Sequence, residues 1–407
     1  MSPIKISWKS LWSKPLSSAL NMMLIAFGTG ILTILILASN QISQKLDNNS
    51  KDIDLVVGAK GSPLQLILSS IYYIDFPTGN IPLKAAKELS RSPLVKRAVP
   101  LALGDNYNGT RIVGTDSNFV ALYQLKLENG KFWSKDFEAT IGAGVAQSQK
   151  LKVGDTFYGA HGLSSSSDVH KSHPYTVSGI LESQGNVTDN LILTNIASVW
   201  KMHDDHEDDH QHDKNEKHND HHQESDEGKE LTSLLIQYRS PMSVAIFPRM
   251  VNETTNMQAA SPAQESTRLF SLIGVGVETL QWFAVLIMLI AAISVFVNLY
   301  NSLKERKYDL AIMRTLGASR TKLFGIVIIE GIILTFAGTI IGVALGHFAL
   351  QFIGHYQESN QARLTGMIFL QEEIYLFVAG LAIGIFAAII PAIQAYRSNI
   401  SKILSKN

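Results

Sequence analysis

The sequence predicts a membrane protein with four transmembrane α-helices and one large α+β extracytoplasmic domain between the first and second of them. Three observations predict it. The apolar residues are gathered into four blocks, each long enough to cross a hydrocarbon core about 30 Å thick. Lysine and arginine cluster at residues 5–14, 304–322 and 397–407. With four crossings, all three clusters fall on one side of the bilayer, and such clusters mark the cytoplasmic face. The long polar stretch between the first two blocks mixes short β-like runs with helical patterns, the order of an α+β domain. The 35 basic and 35 acidic residues cancel, so nothing points to nucleic acid as a partner. The absence of cysteine among 407 residues excludes disulfides, iron–sulfur clusters and cysteine zinc fingers.

Residues 1–16 read as an interfacial amphipathic helix. Ile4, Trp8, Leu11 and Trp12 share one helical stripe, with Lys5, Lys9 and Lys14 elsewhere. Tryptophan and lysine together suit a helix lying along a bilayer surface; a disordered basic N-terminus is the other reading. Pro15 turns the chain inward. Residues 17–40 form the first span, read as an uncleaved anchor because the apolar run is long and no small-x-small cleavage site follows. Residues 41–272 form the α+β domain, with strands at 54–57, 111–113, 175–180 and 191–194 and helices at 83–90 and 143–150. Its GAKGS run at 58–62 lacks the G-x-x-x-x-G-K-[ST] spacing of a phosphate loop. Residues 203–230 carry seven histidines, twelve carboxylates and no apolar residue. Such a stretch buries too little surface to offset the cost of ordering it, so a disordered loop is expected. The second span covers 273–303, a cytoplasmic segment 304–322, and the third span 323–352, long enough to tilt or protrude. An extracytoplasmic linker at 353–373, a fourth span at 374–396 and a basic cytoplasmic tail at 397–407 complete the chain.

Several residues inside or beside the spans invite a chemical reading. Gly338, Gly342 and Gly346 repeat every four residues in the third span, as do Gly380 and Gly384 in the fourth. Small residues at this spacing let helices approach closely in lipid, either as an interface that slides or as static packing. Glu330 lies well inside the third span. A charge there costs roughly 2.5–3.5 kcal/mol at a helix centre, so it must face protein or be protonated. A hydrogen bond to a neighbouring helix or to residues 304–322 is expected rather than proton transport. His203, His206, His210, His212, His218, His221 and His222, interleaved with Asp and Glu, suit Zn²⁺, Cu²⁺ or Ni²⁺ in many arrangements. That reading makes the tract a metal-scavenging or sensing lid; the other reading is a tolerated polar insertion. His206 to His210 match H-E-x-x-H, but that motif works on a packed helix and no apolar residue anchors one here, so a protease is not expected. His161, His170 and His173 border the strand at 175–180, as a fixed metal site or as surface histidines. There is no Walker motif and no nucleophile constellation, so the chain is not expected to be an enzyme.

Residues 304–320 read KERKYDLAIMRTLGASR. Leu310, Met313 and Leu316 fall at i, i+3 and i+6 with Ile312 beside them, and Glu305, Arg306, Lys307, Asp309 and Arg314 cover the rest. Gly317 is a natural helix stop. The segment is either a docking surface or a connector whose charges set topology. Residues 305–318 resemble the first cytoplasmic loop of the MacB/FtsX-type ABC transporter permeases. There a glutamate–arginine pair opens a short coupling helix that closes with an arginine, two further residues and a glycine. The runs IGAGVA (141–146), LKVGDT (151–156) and YTVSGIL (175–181) resemble the extracytoplasmic domain of that family, and the order of spans is also similar.

The resemblance implies a multi-pass protein of the bacterial inner membrane, paired with a second permease copy or a paralogue. It implies a separate cytoplasmic ABC ATPase that binds the ATP and docks on Glu305, Arg306, Asp309, Leu310, Met313, Arg314 and Gly317. ATP-driven closure would then move the extracytoplasmic domain, for export or mechanotransmission, with membrane lipid and a periplasmic protein as further partners. No intrinsic cofactor is implied. The histidine tract departs from the family pattern and adds an expected link to divalent metal, zinc above all. The alternative reading is a non-transport membrane sensor with a metal-responsive extracytoplasmic domain.

Overall fold

A computed structural model describes residues 3–161, 173–207, 228–356 and 364–397. The chain divides into two compact units, Met1–Ser43 with Ile273–Asn407, and Gln44–Leu272. It opens with α1 (Pro3–Ser13) and α2 (Pro15–Ser50). The break between them falls just before Pro15, where a ring without an N–H is tolerated only in a first helical turn.

The second unit continues through β1 (Leu55–Ala59), α3 (Pro63–Ser70), β2 (Ile81–Pro82), α4 (Leu83–Ser90), β3 (Val95–Tyr107), β4 (Thr110–Thr115), α5 (Ser117–Tyr123) and β5 (Leu127–Gly130). There follow β6 (Glu138–Ile141), α6 (Ala143–Gln149), β7 (Thr156–Phe157), β8 (Ala160–His161), β9 (Tyr175–Leu181), β10 (Ile192–Asn195) and α7 (Ile196–Glu207). The unit closes with β11 (Glu230–Leu231), β12 (Ser233–Tyr238), α8 (Met242–Thr254) and β13 (Met257–Ala260). The main sheet runs β13-β1-β12-β3-β4-β10-β6-β9-β5, with β7 on β9 and β8 on β3. Strand β3 holds its two halves together. Val95 to Leu101 pair with β12, and Ala102 to Tyr107 pair with β4. Asn108 and Gly109, both at positive φ, make the tight turn into β4.

Alternation along the strands serves two cores at once. Leu55 and Val57 of β1 face a cluster with Phe247 and Val251 of α8, while Val56 faces the cluster of Leu101, Phe119 and Leu193. In β12, Leu234 and Ile236 join the first cluster and Leu235 the second. A third cluster gathers Ile141, Tyr175 and Ile192. Both faces of the sheet are therefore covered, as period-two side-chain alternation requires when apolar residues occupy every position.

The expected strands at 111–113, 175–180 and 191–194 lie within β4, within β9 and largely within β10, and the helix at 83–90 coincides with α4. The expected disordered loop at 203–230 needs correction at its edges. Helix α7 carries the chain to Glu207, and β11 begins at Glu230. The cause is local. Asn195 caps the helix by accepting from the Ser198 N–H at 2.8 Å, and Val199 and Met202 are buried beneath it. Once nucleated, a helix propagates into polar sequence at little cost per residue. Residues 208–227 lie outside the described residues.

Helix α9 (Pro262–Glu305) starts in the second unit and enters the first at Ile273, followed by α10 (Lys307–Thr315), α11 (Arg320–Tyr356) and α12 (Glu373–Arg397). By length and composition α2, α9, α11 and α12 suffice to cross a membrane. Helix α2 runs on to Ser50, and α9 begins at Pro262 rather than at 273. Hydropathy marks the part of a helix that suits lipid and says nothing of its polar ends. Of the linker at 353–373, residues 353–356 belong to α11, and 357–363 lie outside the described residues, as does the tail beyond Arg397.

Replacing Phe119, buried in the second cluster, with alanine is expected to cost about 3–5 kcal/mol through lost contacts and the cavity left behind. Calorimetry of the full chain in detergent checks it: the Phe119→Ala transition falls well below that of Phe76→Ala, a change at an exposed ring.

Candidate functional site

Helix α10 is short and sharply ended. Its chain reverses through Leu316, whose N–H bonds to Ile312 O at 3.0 Å, and Gly317, whose φ is +97°. The Ala318 N–H returns to Met313 O at 2.9 Å, so the last carbonyls are satisfied by a glycine-closed turn. Leu310 is 5% exposed and packs among Leu303, Leu323, Ile326, Val327, Ala392 and Ala395; Ala311 is also buried. Met313 packs against the same cluster. The opposite face presents Tyr308, Asp309, Ile312 and, past the helix end, Leu316, which is 82% exposed. Of the seven residues expected to dock a partner, Glu305, Asp309 and Gly317 are exposed, Arg306, Met313 and Arg314 half-buried, and Leu310 buried. The expected stripe of Leu310, Met313 and Leu316 is therefore split. Helical geometry ends at Thr315, and the reversal carries Leu316 away from the bundle.

Glu330, 5% exposed, sits among polar partners from two other elements. Ser10 Oγ of α1 donates to its Oε1 at 2.6 Å. The Arg306 guanidinium, at the N-terminal boundary of α10, lies 3.9 Å from its Oε2 and also donates to Ser10 Oγ. A hydroxyl both donates and accepts, so Ser10 bridges the carboxylate and the cation. Beside them Lys14 pairs with Glu305, and Ser7 Oγ donates to Ile326 O at 3.0 Å. Helix α1 thus turns Ser7 and Ser10 inward and leaves Ile4, Trp8 and Trp12 exposed. The apolar stripe was legible in the sequence; the serine face was not read. Its signal was the three–four spacing of Ser7, Ser10, Lys14, Ser17 and Asn21.

The glycine rows lie between helices of this chain. A Cβ on Gly338 would come 2.9 Å from Ile25 Cβ, and one on Gly346 2.7 Å from Thr33 Cβ. One on Gly342 would meet Thr29 Oγ1 and the Ala26 carbonyl. This row is the contact of α11 with α2. Gly380 and Gly384 of α12 approach Thr339 and Thr335 on another face of α11.

At the far ends of α11 and α12 lies a buried polar group that sequence reasoning missed. His347 Nε2 is 2.8 Å from Glu373 Oε2, and its Nδ1 is 2.7 Å from Gly366 O. Glu373 Oε1 accepts from the Leu370 N–H at 2.9 Å. Gln41 of α2 joins this loop by exchanging two hydrogen bonds with the Thr365 backbone, at 2.7 and 2.9 Å.

The described histidines outside the bundle are divided among separate elements. The backbone of His161 pairs with that of Asp105 at the edge of β3, and the His173 ring stacks on Phe137 with centroids 4.7 Å apart. Burial, and then the Asp105 carboxyl, push the nearby Tyr175 hydroxyl above its usual range. His203 and His206 belong to the last turns of α7, while His170, His210, His212, His218, His221 and His222 lie outside the described residues. Among the described residues no group of three or more His, Cys, Asp or Glu side chains is placed to hold a metal ion.

Four membrane helices, a short helix at one end of the bundle and an α+β unit inserted after the first span define a polytopic membrane protein with a large inserted domain. Residues 18–247 match the MacB-like periplasmic core domain, and residues 282–400 match the FtsX-like permease C-terminal domain. No curated protein matches the chain. Among solved structures it is similar to the periplasmic region of MacB from Actinobacillus actinomycetemcomitans, at 10% identity and a TM-score of 0.34 over 56% of this chain and 98% of that one. It is also similar to the extracellular domain of the noncanonic ABC-type transporter YknZ from Gram-positive bacteria, at 12% identity and a TM-score of 0.31 over 51% of this chain and 99% of that one. The chain belongs to the MacB/FtsX-type ABC transporter permease family, multi-pass proteins of the bacterial inner membrane with an extracytoplasmic α+β domain.

Gly342→Leu is expected to abolish recovery of monodisperse protein from membranes, because its side chain would displace Thr29 and the α2 backbone. Gly325→Leu, with nothing within 4 Å of its Cβ, leaves recovery at the level of the unaltered chain. Size-exclusion chromatography of the two detergent extracts makes the comparison; equal recovery would contradict the close contact.

Proposed function

We propose that this chain is the transmembrane subunit that couples ATP hydrolysis by a separate cytoplasmic ABC ATPase to movement of its own extracytoplasmic domain, for export or mechanotransmission. The family works with a cytoplasmic ATPase partner. The observation that carries the reading here is the outward face of α10. Tyr308, Ile312 and Leu316 are exposed on the cytoplasmic segment, with Asp309 beside them and Glu305 and Gly317 at the two ends. Apolar side chains grouped within a charged rim are what a protein partner covers. Leu310 and Met313 hold the helix to the bundle, so a push on the outer face is received by packed structure. Arg306 and Arg314, half-buried, border that face. Both chain connections into the α+β unit are helical, α2 and α9, which supports transmission along helix axes rather than through loops. Helix α9 is the least buried of the four spans and leaves Trp282, Phe283, Leu286 and Ile290 outward, a surface for lipid and for a second permease copy.

The double variant Ile312→Glu and Leu316→Glu is expected to lower permease-stimulated ATP hydrolysis by the co-expressed ATPase at least tenfold, equivalent to about 1.4 kcal/mol of lost contact. Permease abundance in the membrane stays unchanged, because neither side chain is buried. Unaltered stimulation would place the ATPase contact elsewhere.

A further inference from the structure

Five polar side chains near the N-terminus follow a three–four spacing, and each reaches another element. Ser7 donates to Ile326 O of α11. Ser10 donates to Glu330 of α11 and accepts from Arg306. Lys14 pairs with Glu305 at the end of α9. Ser17 Oγ donates to Asn298 Oδ1 at 2.8 Å, and Asn21 Oδ1 accepts from Ser294 Oγ at 2.6 Å, both on α9. This one stripe crosses the break between α1 and α2 and ties α9, the entrance of α10 and α11 to a single line of contacts. The opposite side of α1, with Ile4, Lys5, Trp8, Lys9 and Trp12, is exposed. Helix α1 is therefore held by its polar stripe and by the packing of Ile6 and Leu11. Hydrogen bonds to charged groups are roughly twice as strong as neutral ones, and they strengthen further where water is excluded.

We propose that α1 is a strap that fixes the entrance of α10 to the third span, with Ser10, Glu330 and Arg306 as positioning residues. Arg306 sits where α9 ends and α10 begins. Unheld, that junction would bend when α10 is displaced. Held by Ser10 and Glu330, it passes the displacement to α11 and α1 together. The transmission part of this inference rests on the reading of α10 as the ATPase contact; the strap itself does not.

The chain has no cysteine, so spin labels at Lys9→Cys and Thr315→Cys, both exposed positions, are unique. Pulsed electron resonance on the full permease in nanodiscs, without ATPase, reads the width of the α1–α10 distance distribution. Ser10→Ala and Glu330→Gln are each expected to broaden it at least twofold. Ser10→Thr, which keeps the hydroxyl, retains the original width. Unchanged width in Ser10→Ala and Glu330→Gln would overturn the strap. With the ATPase present, Ser10→Ala is expected to keep the partner bound in co-purification yet lower stimulated hydrolysis at least fivefold. A broadened distribution with full stimulation would overturn the positioning role and leave docking intact. An ATPase that fails to bind even the unaltered permease would sink the docking reading while the nanodisc result stands on its own.

Discussion

A carboxylate buried near the end of a membrane span has to be given partners by its own chain. Removing one partner from a buried charged group costs several kcal/mol, because the remaining charge is left without water or compensation. Glu330 meets this requirement with a serine from α1 and an arginine from the start of α10. Helix α1, whose Ser10 lies 320 residues from Glu330, is thereby held at one point with α10 and α11. The face that α10 turns outward follows from this, since Arg306 fixes where the helix begins and Leu310 fixes which side is covered.

Along the rest of the bundle, close contact takes over from charge. Lipid tails are as apolar as leucine, so helices associate by van der Waals contact where backbones come near. The glycines of α11 and α12 provide the approach, and threonines face Gly342, Gly346, Gly380 and Gly384. Thr29, Thr33, Thr335 and Thr339 each return their hydroxyl to the carbonyl four residues earlier, at 2.8 to 3.1 Å, so these four hydroxyls are satisfied within their own helices. The far end is closed by His347, Glu373 and Gln41 around the loop that joins α11 to α12. The bundle is thus polar at both ends and tightly packed between them.

The four spans were legible because runs of apolar residues have few other uses, and the charge clusters gave their direction. A short helix within 304–320, which the structure confines to Lys307–Thr315, was legible too, as was its glycine stop. Its orientation was not. In a helix of nine residues flanked by apolar side chains, periodicity does not say which apolar stripe meets the bundle and which meets a partner. Leu310 and Leu316 look alike in sequence and lie on opposite sides in the fold. The long strand β3 is hard to read because its first half is a broken pattern, KRAVP, although Asn108-Gly109 is a strong hairpin signal at its end. Helix α8 was hidden by Pro248 in its interior. At the histidine tract, composition said nothing of the cap at Asn195 or of the buried Val199 and Met202, which extend α7 into its first residues.

The central claim is that the outward face of α10 receives a cytoplasmic ATPase. Site-specific photo-cross-linking in intact membranes tests it most directly, with the photoreactive residue placed in turn at Tyr308, Thr315 and Leu345. The account predicts an adduct with the ATPase from Tyr308 and Thr315, and none from Leu345, which faces outward in the last third of the third span. No adduct from Tyr308 or Thr315 would contradict it.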